Sequence, residues 1–262
     1  HYDEYLQNKY SSDNSKRRRV QTLRIFFDYL VRHSFFNANP VRKLPSSPKH
    51  LESPSPSPFG HIKTLWEYLI DLTSSKNEMS RLLAYRNLVM TLLIYGAGLK
   101  VSDISKLKRD EIIEGDIHRV IISSSKKRDP YSIALPDSFA PIYKEYKKLL
   151  KKQMKKLNMD FPELLFNANP HRILSGGLSP RGLEIIFKEF RKKLSIIMTP
   201  KSLRQACIFN WLHKNYEQST IKEWLGVSPS YSLKAYKEIQ NEFVYNDYFL
   251  LDMYLTHTRK KK

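Results

Sequence analysis

The sequence predicts a mainly α-helical protein with one small antiparallel β hairpin, preceded by a short helical module. Three observations lead there. Apolar residues recur at helical spacing through most of the chain after residue 59. Two short runs rich in β-branched and aromatic residues, 118–122 and 131–135, flank a basic turn. A proline-rich stretch at 45–58 separates this region from residues 1–44.

In residues 1–44, Leu23, Phe26, Phe27, Leu30 and Val31 recur at helical spacing behind the cationic run Lys16, Arg17, Arg18 and Arg19. Asn39-Pro40 stops that module. Its core is thin for so short a segment. The chain opens at His1 with no initiator Met, so further helices are expected ahead of it. The prolines of 45–58 forbid helix and strand ladders, which makes this stretch an extended, stiff linker. Residues 59–262 form the larger domain.

That domain opens with helices over Ile62–Leu72 and Leu82–Tyr95, the second ended by Gly96-Ala97-Gly98. Val101–Leu107 is a short helix with Ser102 and Asp103 in its first turn. The strands His118–Ile122 and Tyr131–Leu135 are joined by Ser125-Lys126-Lys127-Arg128-Asp129-Pro130. Tyr143–Leu157 is amphipathic, with Tyr146, Leu149, Leu150, Met154 and Leu157 on one side and lysines on the other. Pro180–Leu194, Leu203–Leu212 and Ile221–Leu225 are further helices. An aromatic helix over Glu238–Leu255 precedes the basic end, Arg259-Lys260-Lys261-Lys262.

The chain has 45 Lys+Arg against 26 Asp+Glu, a net charge of +19. Such an excess points to a polyanionic partner, most simply nucleic acid. Charge alone leaves ribosomal contacts or an anionic membrane surface open. With 41% hydrophobic and 12% aromatic residues, the chain is no disordered basic tail. The one cysteine, Cys207, excludes an intramolecular disulfide and a cysteine zinc site, and suits a reducing cytosol. It lies in an apolar helical run, as a buried core thiol does. The eight histidines show no metal-ligand spacing, so no metal is assigned. No stretch approaches the ~20 apolar residues of a membrane helix, and His1-Tyr2-Asp3-Glu4 does not open a signal peptide.

Four segments carry a stronger signal. Tyr95-Gly96-Ala97-Gly98-Leu99-Lys100-Val101-Ser102-Asp103 resembles the first signature box of the tyrosine recombinases, the family of phage integrases and Xer-type enzymes. Thr199-Pro200-Lys201-Ser202-Leu203-Arg204 resembles the second, where His or Lys stands three residues before an arginine. Leu225-Gly226-Val227, followed nine residues later by Tyr236, is similar to the stretch ending in the nucleophile. Lys126 falls where the family keeps a hairpin lysine. The resemblance spans nearly the whole chain, with residues 1–44 similar to the family's SAM-like core-binding domain.

The resemblance implies a set of roles that fit the chemistry of the residues. Attack on a phosphodiester builds negative charge on the non-bridging oxygens, and fixed cations stabilise it. Arg204 would clamp the scissile phosphate with a planar fork of donors. Tyr236 would be the nucleophile, with Tyr231 as the other tyrosine in reach. Lys126 would protonate the leaving 5′-oxygen, with Lys127 and Arg128 competing for that place on the same turn. Lys201 would assist, and Lys100 would stand in for the family's first arginine. The implied product is a 3′-phosphotyrosine bond, made without metal or nucleotide cofactor. The implied partner is double-stranded DNA with inverted half-sites, bound as a dimer per site and a tetramer in synapsis, in the cytoplasm at the nucleoid. Lys16–Arg19, Lys127 and Arg128 are expected to contact DNA phosphates. The aromatic C-terminal helix either docks on a neighbouring protomer, as in the family, or completes its own core.

Three positions depart from the family pattern. Lys100 keeps a charge but offers a point donor in place of a fork. Val227 stands where His or Trp is usual and cannot hydrogen-bond a phosphate. Gln205 replaces a common histidine. These leave two readings, a cutting recombinase or a DNA-binding descendant that does not cut. A single-subunit topoisomerase of similar chemistry is a third.

Overall fold

The computed structural model describes residues 2–43, 53–123 and 130–259. The chain divides into two compact units, residues 1–52 and 53–262.

In the smaller unit, α1 (Tyr2–Lys9) and α2 (Asp13–Arg32) precede a 3-10 turn at Pro40–Lys43. Leu6, Val20 and Val41 form its buried centre, with Tyr10, Leu23 and Phe27 packed against them. Asn39 fastens the turn to α2. Its amide donates to the Arg24 carbonyl (2.9 Å) and to Asp28 (2.8 Å), while its oxygen accepts from Val41 N–H (2.9 Å). Of the expected apolar stripe only Leu23 and Phe27 reach this centre, and Phe26 remains exposed with Ile25 and Tyr29.

The larger unit is built on α4 (Glu78–Tyr95), in which 14 of 18 residues are buried, so it is the central helix. Asn77 caps it, accepting from Ser80 N–H (2.9 Å), which starts the helix four residues before the apolar periodicity does. Around it lie α3 (Phe59–Leu72), α6 (Phe139–Leu157) and α8 (Pro200–His213). Between α4 and α6 come the one-turn α5 (Val101–Ile104) and an antiparallel sheet of β1 (Ile112–Ile113), β2 (Arg119–Ile122) and β3 (Tyr131–Ala134), in that order. The register pairs Val120 with Ile133 and Ile122 with Tyr131. Val120, Ile122 and Ile133 face the core.

A second hairpin, β4 (Phe166–Ala168) with β5 (Ile173–Gly176), was not expected. Asn169 closes it by accepting from the N–H groups of His171 and Arg172, both at 2.9 Å. Buried Arg86 of α4 holds this hairpin, donating to the Phe166 carbonyl (3.1 Å) and lying over the Phe166 ring. Then follow α7 (Pro180–Leu194), α8, α9 (Gln218–Trp224), α10 (Lys234–Glu238) and α11 (Tyr248–Arg259).

The expected single helix over Glu238–Leu255 is interrupted. Between α10 and α11, Phe243 and Tyr245 turn inward onto Phe209 of α8. The Tyr245 hydroxyl donates to the Ser57 carbonyl (2.6 Å) and Tyr95 donates to the Asn246 carbonyl (2.7 Å). Those side-chain bonds reward an extended backbone where helical periodicity suggested a continuous helix. Beyond the break, Leu250 and Tyr254 of α11 are buried, and Trp66 of α3 donates to the Leu250 carbonyl (3.1 Å). This helix completes the core of its own chain.

Ser53–Pro58 runs extended against the larger unit, with Pro54, Pro56 and Ser57 buried. Ser57 N–H donates to the Ser202 carbonyl (3.0 Å). Among the described residues, no helix is long and apolar enough to cross a membrane.

Candidate active site

Two glycine turns and one arginine organise the site. After α4 the chain reverses through Gly96–Gly98, where Gly98 has φ +60°. A Cβ at Gly98 would stand 2.7 Å from the Trp211 ring, so only glycine fits. The second turn ends α9. Gly226, at φ +56°, donates to the Glu223 carbonyl (2.8 Å) and Val227 N–H to the Lys222 carbonyl (3.1 Å). This is the Schellman pair of bonds that stops a helix on a left-handed residue.

Arg204 of α8 joins the two turns. Its Nε donates to the Gly98 carbonyl (2.5 Å) and its Nη2 to the Leu225 carbonyl (3.1 Å). Thr199 starts α8 with a reciprocal cap, accepting from Ser202 N–H (3.0 Å) while Ser202 Oγ accepts from Thr199 N–H (2.8 Å). Pro200 takes the first helical position. Lys201 is exposed in this first turn and shares a helix face with Arg204, three residues on. Burial draws the Arg204 guanidinium below the ordinary arginine value, opposed by nearby Tyr236, Cys207, Asp103 and Tyr131. An arginine starts so high that it stays charged.

Tyr236 lies on α10 with 7% of its surface exposed and its ring 5.4 Å from that of Phe209. Its hydroxyl is hydrogen-bonded to Gln205 and to Tyr231. Burial first, then Tyr231, pushes the Tyr236 phenol up to about 12, against the lowering effects of Gln205 and Arg204. Tyr231 closes the turn after α9, its N–H donating to the Ser228 carbonyl (2.8 Å), and is 39% exposed.

The structure thus brings Arg204 and Tyr236 together, with Gln205 and Tyr231 around the hydroxyl and Asp103 and Tyr131 around the guanidinium. Lys100 is half-buried at the start of α5, where its carbonyl accepts from Asp103 and Ile104 N–H (3.0 Å each). Val227 is half-buried and lines an open cleft of about 490 Å³ with Tyr131, Lys222, Gly226 and Pro229. Lys126, Lys127 and Arg128 lie outside the described residues. Tyr131, at the near end of β3, is close enough to act on Arg204, so the hairpin mouth adjoins the site.

Lys16, Arg17, Arg18 and Arg19 belong to α2 of the other unit. There Lys16 pairs with Asp13 (3.4 Å) and Arg19 lies over the Tyr10 ring. Sequence reasoning missed three participants. Gln205, read only as a lost histidine, touches the Tyr236 hydroxyl. Tyr231 was weighed as a rival nucleophile and is a hydrogen-bonded partner. Tyr131 was read only as a strand residue. The sole signal for Gln205 was its place next to Arg204.

Chemically, the arrangement offers a cation held rigidly by two backbone carbonyls, with guanidinium donors to spare, beside a buried tyrosine hydroxyl. Such a pair can hold an oxyanion and present an oxygen nucleophile to it.

The model of the Phage integrase family matches residues 69–242. Tyrosine recombinase XerC of Oceanobacillus iheyensis is 24% identical over 252 residues, covering 93% of this chain and 77% of that protein. XerC of Chlamydia muridarum is 23% identical over 259 residues, covering 91% of this chain and 74% of its own. Among solved structures, the XerH site-specific recombinase bound to palindromic difH substrate superposes with a TM-score of 0.70 at 13% identity, over 92% of this chain and 69% of that one. The lambda integrase fragment 75–356 bound to DNA gives 0.58 at 15% identity, over 91% and 79%.

Proposed function

The chain belongs to the phage integrase family, the tyrosine recombinases, and on that footing we propose that it carries out site-specific DNA recombination by cutting and rejoining strands through Tyr236. The observation that carries this reading is the convergence of both glycine turns on Arg204, beside the Tyr236 hydroxyl.

Arg204 binds two non-bridging oxygens of the scissile phosphate through its remaining N–H donors. Tyr236 attacks phosphorus and forms the 3′-phosphotyrosine bond. Lys126 gives a proton to the departing 5′-oxygen. Lys201 and Lys100 neutralise charge on the phosphate. The 5′-hydroxyl of a second strand then reverses the attack and reseals the backbone. Residues 1–44 serve as the core-binding domain, with Lys16–Arg19 on DNA phosphates, and 59–262 as the catalytic domain joined through 45–58. Two protomers occupy inverted half-sites and four form the synapse, at the nucleoid. DNA-bound XerH and lambda integrase, which share the fold, support duplex DNA as the partner.

Val227 favours a second reading, a DNA-binding protein that does not cut. Its side chain offers no donor at a place where the family usually has one. Recombination between two copies of the target site decides between them. The parent protein recombines them and Tyr236→Phe does not. Equal recombination by both would exclude Tyr236 as the nucleophile.

A further inference from the structure

The hydroxyl of Tyr236 has two side-chain partners with opposite effects on its proton. Gln205 favours the phenolate, as an amide N–H donating to the phenolic oxygen does. Tyr231 favours the neutral phenol, as when the Tyr236 O–H donates to the Tyr231 oxygen. The proton of the nucleophile therefore already points at Tyr231. The two rings differ sharply in exposure, 7% for Tyr236 and 39% for Tyr231. One end of the pair is buried beside Arg204 and the other opens to water. The turn that carries Tyr231 is braced by Lys222, whose ammonium donates to the Pro229 carbonyl (2.8 Å).

We propose that Tyr231 is the proton relay for strand cleavage, accepting the Tyr236 proton during attack and passing its own to solvent. This rests on the strand-cleavage reading above. As the Tyr236 oxygen bonds to phosphorus, its proton moves to the Tyr231 oxygen. The original Tyr231 proton leaves to water, so Tyr231 is neutral before and after. The bond from phosphorus to the 5′-oxygen breaks, and that oxygen takes a proton from the general acid. Religation runs the same path in reverse.

The need for such a relay follows from the other groups that act on this hydroxyl. Among the described residues these are Gln205 and Arg204. Arg204 has no lone pair to accept a proton, and the Gln205 amide already donates to the phenolic oxygen. Burial keeps the phenol protonated well above neutral pH, so the proton has to leave during attack. Tyr231 is the neighbour with both an acceptor oxygen and access to water.

Tyr231→Phe removes the relay oxygen and keeps the ring that shapes the turn. Two measurements test it. In the free protein carrying 13C-labelled tyrosine, the Tyr236 resonance should titrate at lower pH in Tyr231→Phe than in the parent. An unchanged titration would overturn the relay. On nicked duplexes, the variant should form its adduct about 10²-fold more slowly at pH 7, still on Tyr236 by peptide mapping. That deficit should shrink as pH rises and hydroxide replaces the relay. A deficit equal at every pH, a parent-like rate, or a parent adduct that maps to Tyr231 would overturn the relay alone. A parent that forms no adduct on any duplex would overturn strand cleavage itself, and the relay with it.

Discussion

Arg204 reaches back across 106 residues of sequence to the carbonyl of Gly98, with 2.5 Å between Nε and oxygen. The same guanidinium also holds the Leu225 carbonyl at 3.1 Å. A phosphate-binding arginine must be fixed before substrate arrives, because reorganising it during the reaction would waste its charge. Backbone carbonyls fix it without neutralising it, as a carboxylate partner would.

Gly98→Ala tests that support. The left-handed backbone and the close Trp211 ring both oppose a Cβ. A loss of about 2–4 kcal/mol is expected from backbone strain and overpacking together. Urea denaturation of parent and variant measures it, and a loss under ~0.5 kcal/mol would mean the turn relaxes freely.

Lys100→Arg restores the fork that the family's first box usually supplies. Adduct formation should rise, by about tenfold or more if the second fork engages the phosphate. Single-turnover rates on a nicked duplex check it. An unchanged rate would place residue 100 off the phosphate.

The raised Tyr236 phenol makes stability pH-dependent. An ordinary unfolded tyrosine ionises near pH 10, and in the fold Tyr236 does so at about 12. Its contribution is therefore complete below pH 10 and is lost as pH rises to 12, up to on the order of 3 kcal/mol. Tyr236→Phe should flatten the fall in stability across that window. Denaturation midpoints at pH 9, 10 and 11 give the comparison.

Arg86 is 4% exposed, bonded to the Phe166 carbonyl and to Asn87, and burial lowers its guanidinium to about 10. Arg86→Ala should cost about 3 kcal/mol or more, through a cavity and an unpaired carbonyl. Arg86→Met should cost much less, since it refills the volume and removes a buried charge. Thermal unfolding of the two variants ranks them.

Much of the site was legible because its residues are consecutive or glycine-marked. Gly98 and Gly226 announce left-handed turns, Thr199-Pro200 announces a helix start, and Arg204 follows at a fixed helical offset. The contacts of Gln205, Tyr231 and Tyr131 were not legible, since they depend on how α8, α10 and β3 face one another. In the fold, the β2–β3 hairpin showed through its alternation and basic turn. The β4–β5 hairpin did not, because its strands are three and four residues long and are anchored by distant Arg86. The break before α11 was hidden for the same reason. Tyr245 and Asn246 are set by bonds to Ser57 and Tyr95, far away in sequence.

Covalent trapping on DNA tests the central claim most directly. Nicked duplexes carrying inverted repeats from the chain's own genetic neighbourhood are mixed with the protein, denatured in detergent and resolved for a protein–DNA adduct. An adduct with the parent that vanishes in Tyr236→Phe is the predicted result. Duplex binding with no adduct, in the parent and in Lys100→Arg alike, would contradict it and leave a DNA-binding protein that does not cut.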